Sequence, residues 1–219
     1  MEQPIVEVCE VDKSYGEQKV LNKVSMKLYK GNIYGLVGRN GSGKTVLMKC
    51  ILGLTRPDAG KVFVHGKEIG KEEEFAPDTG FLIEAPGFFN TRSGYENLKY
   101  FMGIRRKADP EWLNKCLDEE GLEHAGKKKV GKYSMGMRQR LGIAQALLEK
   151  PDLLILDEPM NGLDNEGVDS IRDKLMDWRD RGTTILLASH NREDIEYLCD
   201  EEYEMDRGIL KKRLPKYLT

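Results

Sequence analysis

The sequence predicts an α/β fold: a core with a mostly parallel sheet, an N-terminal antiparallel β subdomain and an inserted helical subdomain. Three observations carry that prediction. The runs Ile33-Tyr34-Gly35-Leu36-Val37, Leu153-Leu154-Ile155-Leu156 and Ile185-Leu186-Leu187-Ala188 are continuously apolar, as expected of parallel strands covered by helices on both faces. Ile5 to Val11 and Val24 to Leu28 alternate instead, the mark of antiparallel strands with one wet face. From Thr91 to about Lys150 apolar residues recur three and four apart, which is helical spacing.

The first continuous run leads into Gly38-Arg39-Asn40-Gly41-Ser42-Gly43-Lys44-Thr45, which satisfies G-x-x-x-x-G-K-[ST]. That spacing after a strand reads as a P-loop, so the core is expected to be of the P-loop NTPase kind. Gly38, Asn40, Gly41, Ser42 and Gly43 turn backbone N–H groups inward as a nest for phosphates, Lys44 reaches the β/γ oxygens, and the Thr45 hydroxyl can ligate Mg²⁺. Val46 to Leu52 reads as a helix whose N-terminus adds positive charge at the anion.

Further along, Thr55 to Gly60 is a turn and Lys61 to His65 a returning strand. Tyr95 to Met102, Pro110 to Leu117 and Met137 to Leu148 read as the helices of the insert. Leu153 to Glu158 ends in Asp157-Glu158 at the carboxyl end of a buried strand, where parallel sheets place ligands. Asp157 would hold Mg²⁺ and Glu158 would polarise the attacking water. Val168, Ile171, Leu175 and Trp178 share one helical face, with Asn165 as the expected N-cap and Gly182 as the stop. Ser189-His190 leaves the next strand at the same sheet edge, which places His190 against a γ-phosphate. The expected organisation is a single domain over 1–219, with core at about 1–88 and 150–219 and the helical subdomain at about 89–149.

Bulk properties narrow the partners. With 35 Lys plus Arg against 37 Asp plus Glu, no overall field favours a polyanion, and no nucleic acid is expected. The clusters Lys127-Lys128-Lys129 and Lys211-Lys212-Arg213 lack interleaved aromatics and read as solvated faces. Cys9, Cys50, Cys116 and Cys199 are scattered without a C-x-x-C pair, which suits a reducing cytosol and argues against zinc. Apolar runs are too short to span a membrane, so a soluble chain that docks on a membrane component is expected.

Taken together these motifs resemble ABC-type ATP-binding cassettes. The P-loop, Ser134-x-Gly136 at a helix start, Leu153 to Glu158, Gly162-Leu163-Asp164 and His190 come in that family's order over almost the whole chain. The resemblance implies an ATPase, with ATP and Mg²⁺ as cofactors, in which two cassettes close head to tail. Ser134 and Gly136 would serve a partner's nucleotide, and Asp164 would lie in the loop that communicates across the dimer. It also implies that Tyr15 stacks on adenine, that Phe81-Leu82-Ile83-Glu84 is the loop joining core to insert, and that Ala85 to Phe89 help form a groove for a membrane partner. Phe88 and Phe89 as core of the insert is the competing reading.

Three positions depart from the family pattern. Glu84 stands where glutamine is usual, Met135 where glycine is usual, and Met137 where glutamine is usual. With their flanks they resemble the bacitracin-export and lantibiotic-immunity branch of bacterial cassettes. A carboxylate at Glu84 can still ligate Mg²⁺ or its water. The expected function is the ATP-hydrolysing subunit of a bacterial exporter, peripheral on the cytoplasmic face of the membrane and working through separate transmembrane subunits. The second cassette is expected to be an identical chain, with a different cassette left open. The alternatives are a soluble ABC-type ATPase outside transport and a nucleotide-binding regulator without turnover; Lys44, Asp157, Glu158 and His190 together speak against the latter.

Overall fold

The computed structural model describes residues 3–84 and 87–213, apart from the side chain of residue 105. The chain opens with a hairpin, β1 (Val6–Tyr15) and β2 (Gln18–Leu28), antiparallel and closed at Tyr15 opposite Gln18. Both strands run further than alternation alone suggested. Polar residues such as Lys13, Ser14 and Lys19 continue the ladder, because ladder bonds come from the backbone whatever the side chain. β4 (Ala59–Val64) and β5 (Lys67–Glu68) complete a four-stranded antiparallel sheet in the order β2-β1-β4-β5.

The second sheet contains β3 (Ile33–Val37), β6 (Thr79–Leu82), β7 (Leu153–Asp157), β8 (Thr184–Ser189), β9 (Glu201–Asp206) and β10 (Ile209–Arg213). Its order is β10-β9-β3-β8-β7-β6, parallel throughout except for β10. The expected loop at Phe81-Leu82-Ile83-Glu84 is corrected here: Phe81 and Leu82 belong to β6, paired with Ile155 and Leu156. Four residues at a sheet edge are too few to show a period. Lys212 and Arg213 lie in β10 and pair across the ladder with Glu201 and Glu204, each at 2.8 Å.

Among the described residues there are six α-helices: α1 (Lys44–Leu52), α2 (Gly94–Arg105), α3 (Pro110–Glu119), α4 (Met135–Ala146), α5 (Asn165–Asp180) and α6 (Arg192–Leu198). α2 begins with a reciprocal cap between Ser93 and Glu96, and α3 with Asp109 ahead of Pro110, both strong start signals. The expected cap of α5 is also corrected. Asp164, not Asn165, is extended and accepts from Gly167 N–H at 2.9 Å, so Asn165 is already helical. Gly182 follows the helix at φ 96°, the left-handed stop expected.

Three apolar clusters form. One joins the antiparallel sheet to α1, one lies between the parallel sheet and α5 and α6, and one gathers Phe88, Leu98, Met102, Leu113, Leu117 and Leu141 within the insert. Phe88 is therefore core, while Phe89 is exposed against Tyr100 and Arg92. Ala85 and Pro86 lie outside the described residues. An ion pair joins α3 to α5: fully buried Glu120, at the end of α3, lies 3.2 Å from Lys174 of α5. Burial pushes the Glu120 carboxyl up to about 7 even with that cation beside it.

Candidate functional site

β3, β8 and β7 are neighbours, so their carboxyl ends deliver Gly38, His190 and Asp157-Glu158 to one edge of the sheet. The loop from Gly38 to Gly43 turns there into α1. Gly43 sits at φ 113° with a would-be Cβ 2.8 Å from the Val20 carbonyl, a conformation and a clearance open only to glycine. Lys44 is buried, and its ammonium donates to the Gly38 carbonyl at 2.6 Å and to that of Arg39 at 3.3 Å. The Ser42 hydroxyl is buried with no partner among the described residues. A buried ammonium held only by carbonyls and an unpaired buried hydroxyl are the polar groups an incoming phosphate would satisfy.

Thr45 Oγ1 donates to Asp157 Oδ2 at 2.6 Å, which joins the first residue pair expected at a metal. Among the described residues no group of three His, Cys, Asp or Glu gathers. A cation here would be shared with phosphate oxygens and water, and two hard oxygen donors suit Mg²⁺. Glu84, expected as a third ligand, lines the same cavity of about 560 Å³. Its carboxylate, however, accepts from Lys49 Nζ at 2.7 Å. Lys49 lies one turn after Thr45 on α1; the i, i+4 spacing was legible in the sequence, but its pairing was not.

Glu158 and Glu84 follow adjacent parallel strands, and both take left-handed backbone, φ 52° and 57°. For non-glycine residues that conformation carries a cost and is held by surroundings; at Glu158 the N–H donates to the Ala188 carbonyl at 2.8 Å. Glu158 Oε2 lies 2.8 Å from His190 Nδ1, while Oε1 is buried with no partner among the described residues. A carboxylate oriented by a ring nitrogen and retaining one free oxygen can accept a proton from water.

The other expected residues divide between this cavity and places outside it. Tyr15 is half-exposed at the hairpin end, with Lys13 Nζ 5.5 Å from its ring centroid, and is not among the residues lining this cavity; Val20 of β2 is. Asn40 and Gly41 line it. Ser134 caps α4, its hydroxyl accepting from Met137 N–H at 3.2 Å. Gly136 approaches the Gly162 carbonyl so closely that a Cβ would lie 2.9 Å from it, and Met135 covers Gly162. Asp164 is occupied in capping α5. Two further residues of this edge were missed in the sequence. Gln139 Nε2 donates to the Glu158 carbonyl at 3.0 Å, and Asn161 lines the cavity.

Comparison with known proteins identifies the family. The family model described as ABC transporter matches residues 21–161. The chain is 41% identical to the bacitracin transport ATP-binding protein BcrA of Enterococcus faecalis, over 94% of this chain and 68% of that protein. It is 36% identical to the lantibiotic transport ATP-binding protein SrtF of Streptococcus pyogenes, over 90% of this chain and 84% of that one. A solved ATP-binding subunit of an ABC transporter superposes with a TM-score of 0.86 at 27% identity, over 95% of this chain and 89% of the other.

Proposed function

The chain belongs to the ABC transporter family as an ATP-binding, ATP-hydrolysing subunit, and we propose that it drives an exporter through separate transmembrane subunits. The relatives named for bacitracin and lantibiotic transport support that direction. Among the described residues no helix is long and apolar enough to cross a membrane, in keeping with a cassette that docks on spanning subunits at the cytoplasmic face. The cargo is selected by those subunits.

In this reading the loop from Gly38 to Gly43 cradles the phosphates, Lys44 neutralises the β/γ oxygens, and Thr45 with Asp157 holds Mg²⁺. When bound, the cation supplies charge neutralisation for the triphosphate. Glu158 takes the proton of the attacking water while His190 orients it and contacts the γ-phosphate. Tyr15 stacks on adenine. Glu84, paired with Lys49 in the structure, would help hold the cation, directly or through water. Ser134 and Gly136 act on the nucleotide of a second, identical cassette, and the loop through Asp164 lines that interface. The chain divides into a core at about 1–88 and 150–219 and a helical subdomain between them.

The observation that carries the reading is Glu158, bonded to His190 through one oxygen with the other buried and unpartnered among the described residues, one residue from the Thr45–Asp157 pair. Phosphate release from purified chain with ATP tests the hydrolytic half. Co-purification with a polytopic membrane protein tests the transport half, and retention of nucleic acid instead would overturn it.

A further inference from the structure

The opposite edge of the parallel sheet carries a second cavity that ATP hydrolysis does not use. It has a volume of about 400 Å³, within the range of small-molecule pockets. Lys30 precedes β3, Asp152 immediately precedes β7 and Thr183 immediately precedes β8. The cavity therefore lies a strand length from the phosphate cradle, roughly 15 Å. Its other wall comes from α3 of the insert, through Trp112 and Lys115.

The lining is both aromatic and cationic. The two tryptophans of the chain, Trp112 and Trp178, both face it. Trp112 is pinned in place, its indole N–H donating to the Leu148 carbonyl at 2.9 Å, so a flat ligand would meet a ring that needs no ordering. Four cations line the cavity against two carboxylates, Glu119 and Asp152. Three of the cations are compensated: Lys30 by Asp152 at 3.1 Å, Lys115 by Glu119 at 3.7 Å and Arg181 by Asp177 at 2.7 Å. Lys150 is different. Its ammonium sits 4.2 Å from the centroid of the Trp112 ring and has no carboxylate partner among the described residues. Held over an aromatic face, that charge is placed for an anion attached to an apolar ring system.

We propose that this cleft between insert and core is a second binding site, separate from the nucleotide site, for an aromatic anion whose acidic group pairs with Lys150 and whose ring lies against Trp112 and Trp178. Because one wall belongs to α3 and the other to the strand starts of the core, the ligand would bridge the two.

The test uses 8-anilinonaphthalene-1-sulfonate on the whole chain, read by energy transfer from the two tryptophans. Saturable transfer is expected, displaced by 1-naphthoate and not by neutral 1-naphthalenemethanol. Lys150→Gln should weaken probe binding roughly tenfold or more, as loss of a charge-assisted contact does, and Lys150→Arg should restore it. Melting temperature and ATPase rate of both variants should match wild type. Energy transfer reaches across a small domain, so saturating ATP is the control. Displacement by ATP would place the probe in the nucleotide cavity and overturn the proposal. Non-saturable transfer, equal competition by the neutral compound, or a Lys150→Gln curve overlying wild type would overturn it too.

Discussion

The sheet edge that carries the P-loop and the start of α4 in the helical insert are built on opposite plans. At the sheet edge the charged groups are paired within the chain, Lys44 to its own loop carbonyls, Thr45 to Asp157 and Glu158 to His190, while the Ser42 hydroxyl and Glu158 Oε1 are buried with no partner among the described residues. At the start of α4, Ser134 and Met135 are exposed, and the serine hydroxyl is spent on its own helix. On the proposed function, the difference follows from what each would have to do. Charge that reacts must be held by groups already oriented, which adjacent strands provide. A surface completed by another molecule must remain open until that molecule arrives.

The strongest way to break this contrast is Glu158→Gln. Loss of a general base should slow hydrolysis roughly a hundredfold or more while ATP still binds, and ATP should then hold two cassettes together on a sizing column. Normal turnover would remove Glu158 from the chemistry. Next, Lys44→Ala should weaken binding of a fluorescent ATP analogue by roughly tenfold or more, since backbone and hydroxyl donors remain against the phosphates but the buried ammonium is gone. Unchanged affinity would mean the loop is not the cradle.

The joint between the two regions can be probed by pH. Burial raises the folded pKa of Glu120 to about 7, above the ordinary carboxylate value of 4.5. Its contribution to stability is therefore fully present below about 4.5 and lost as pH rises towards 7, by at most one proton, about 1.4 kcal/mol per pH unit. Glu120→Gln lacks that loss, so its stability relative to wild type should climb between pH 5 and pH 8 in urea melts. A gap that stays constant would show that Glu120 does not titrate in this window.

Smaller effects sharpen the outward-facing half. Ser134→Ala should cost about 1 kcal/mol as a lost N-cap and lower ATPase at concentrations where cassettes pair, with single-chain ATP affinity unchanged. A fall in that affinity would put Ser134 in its own chain's site. Smallest in stability is Glu84→Gln, which removes a largely exposed ion pair with Lys49 worth less than about 1 kcal/mol. Its Mg²⁺ titration of ATPase should nonetheless flatten at little change in ATP affinity; superimposable curves would leave Glu84 as a hinge residue.

What the sequence determined by itself was local or periodic. The glycine spacing before Lys44, the three continuous apolar strands, the carboxylates after Leu156 and the helical spacing of the insert each declare themselves within a few residues, because phosphate nests and two-sided burial constrain neighbours in the chain. Tertiary structure decided the rest. β9, Glu-Glu-Tyr-Glu-Met-Asp, reads as polar and is a strand because β3 and β10 pair with it on either side. Glu84 faces Lys49, Gly136 makes room for the Gly162 carbonyl, and Glu120 meets Lys174. Those pairings depend on which elements the fold brings within a few ångströms, and no spacing along the chain encodes that distance.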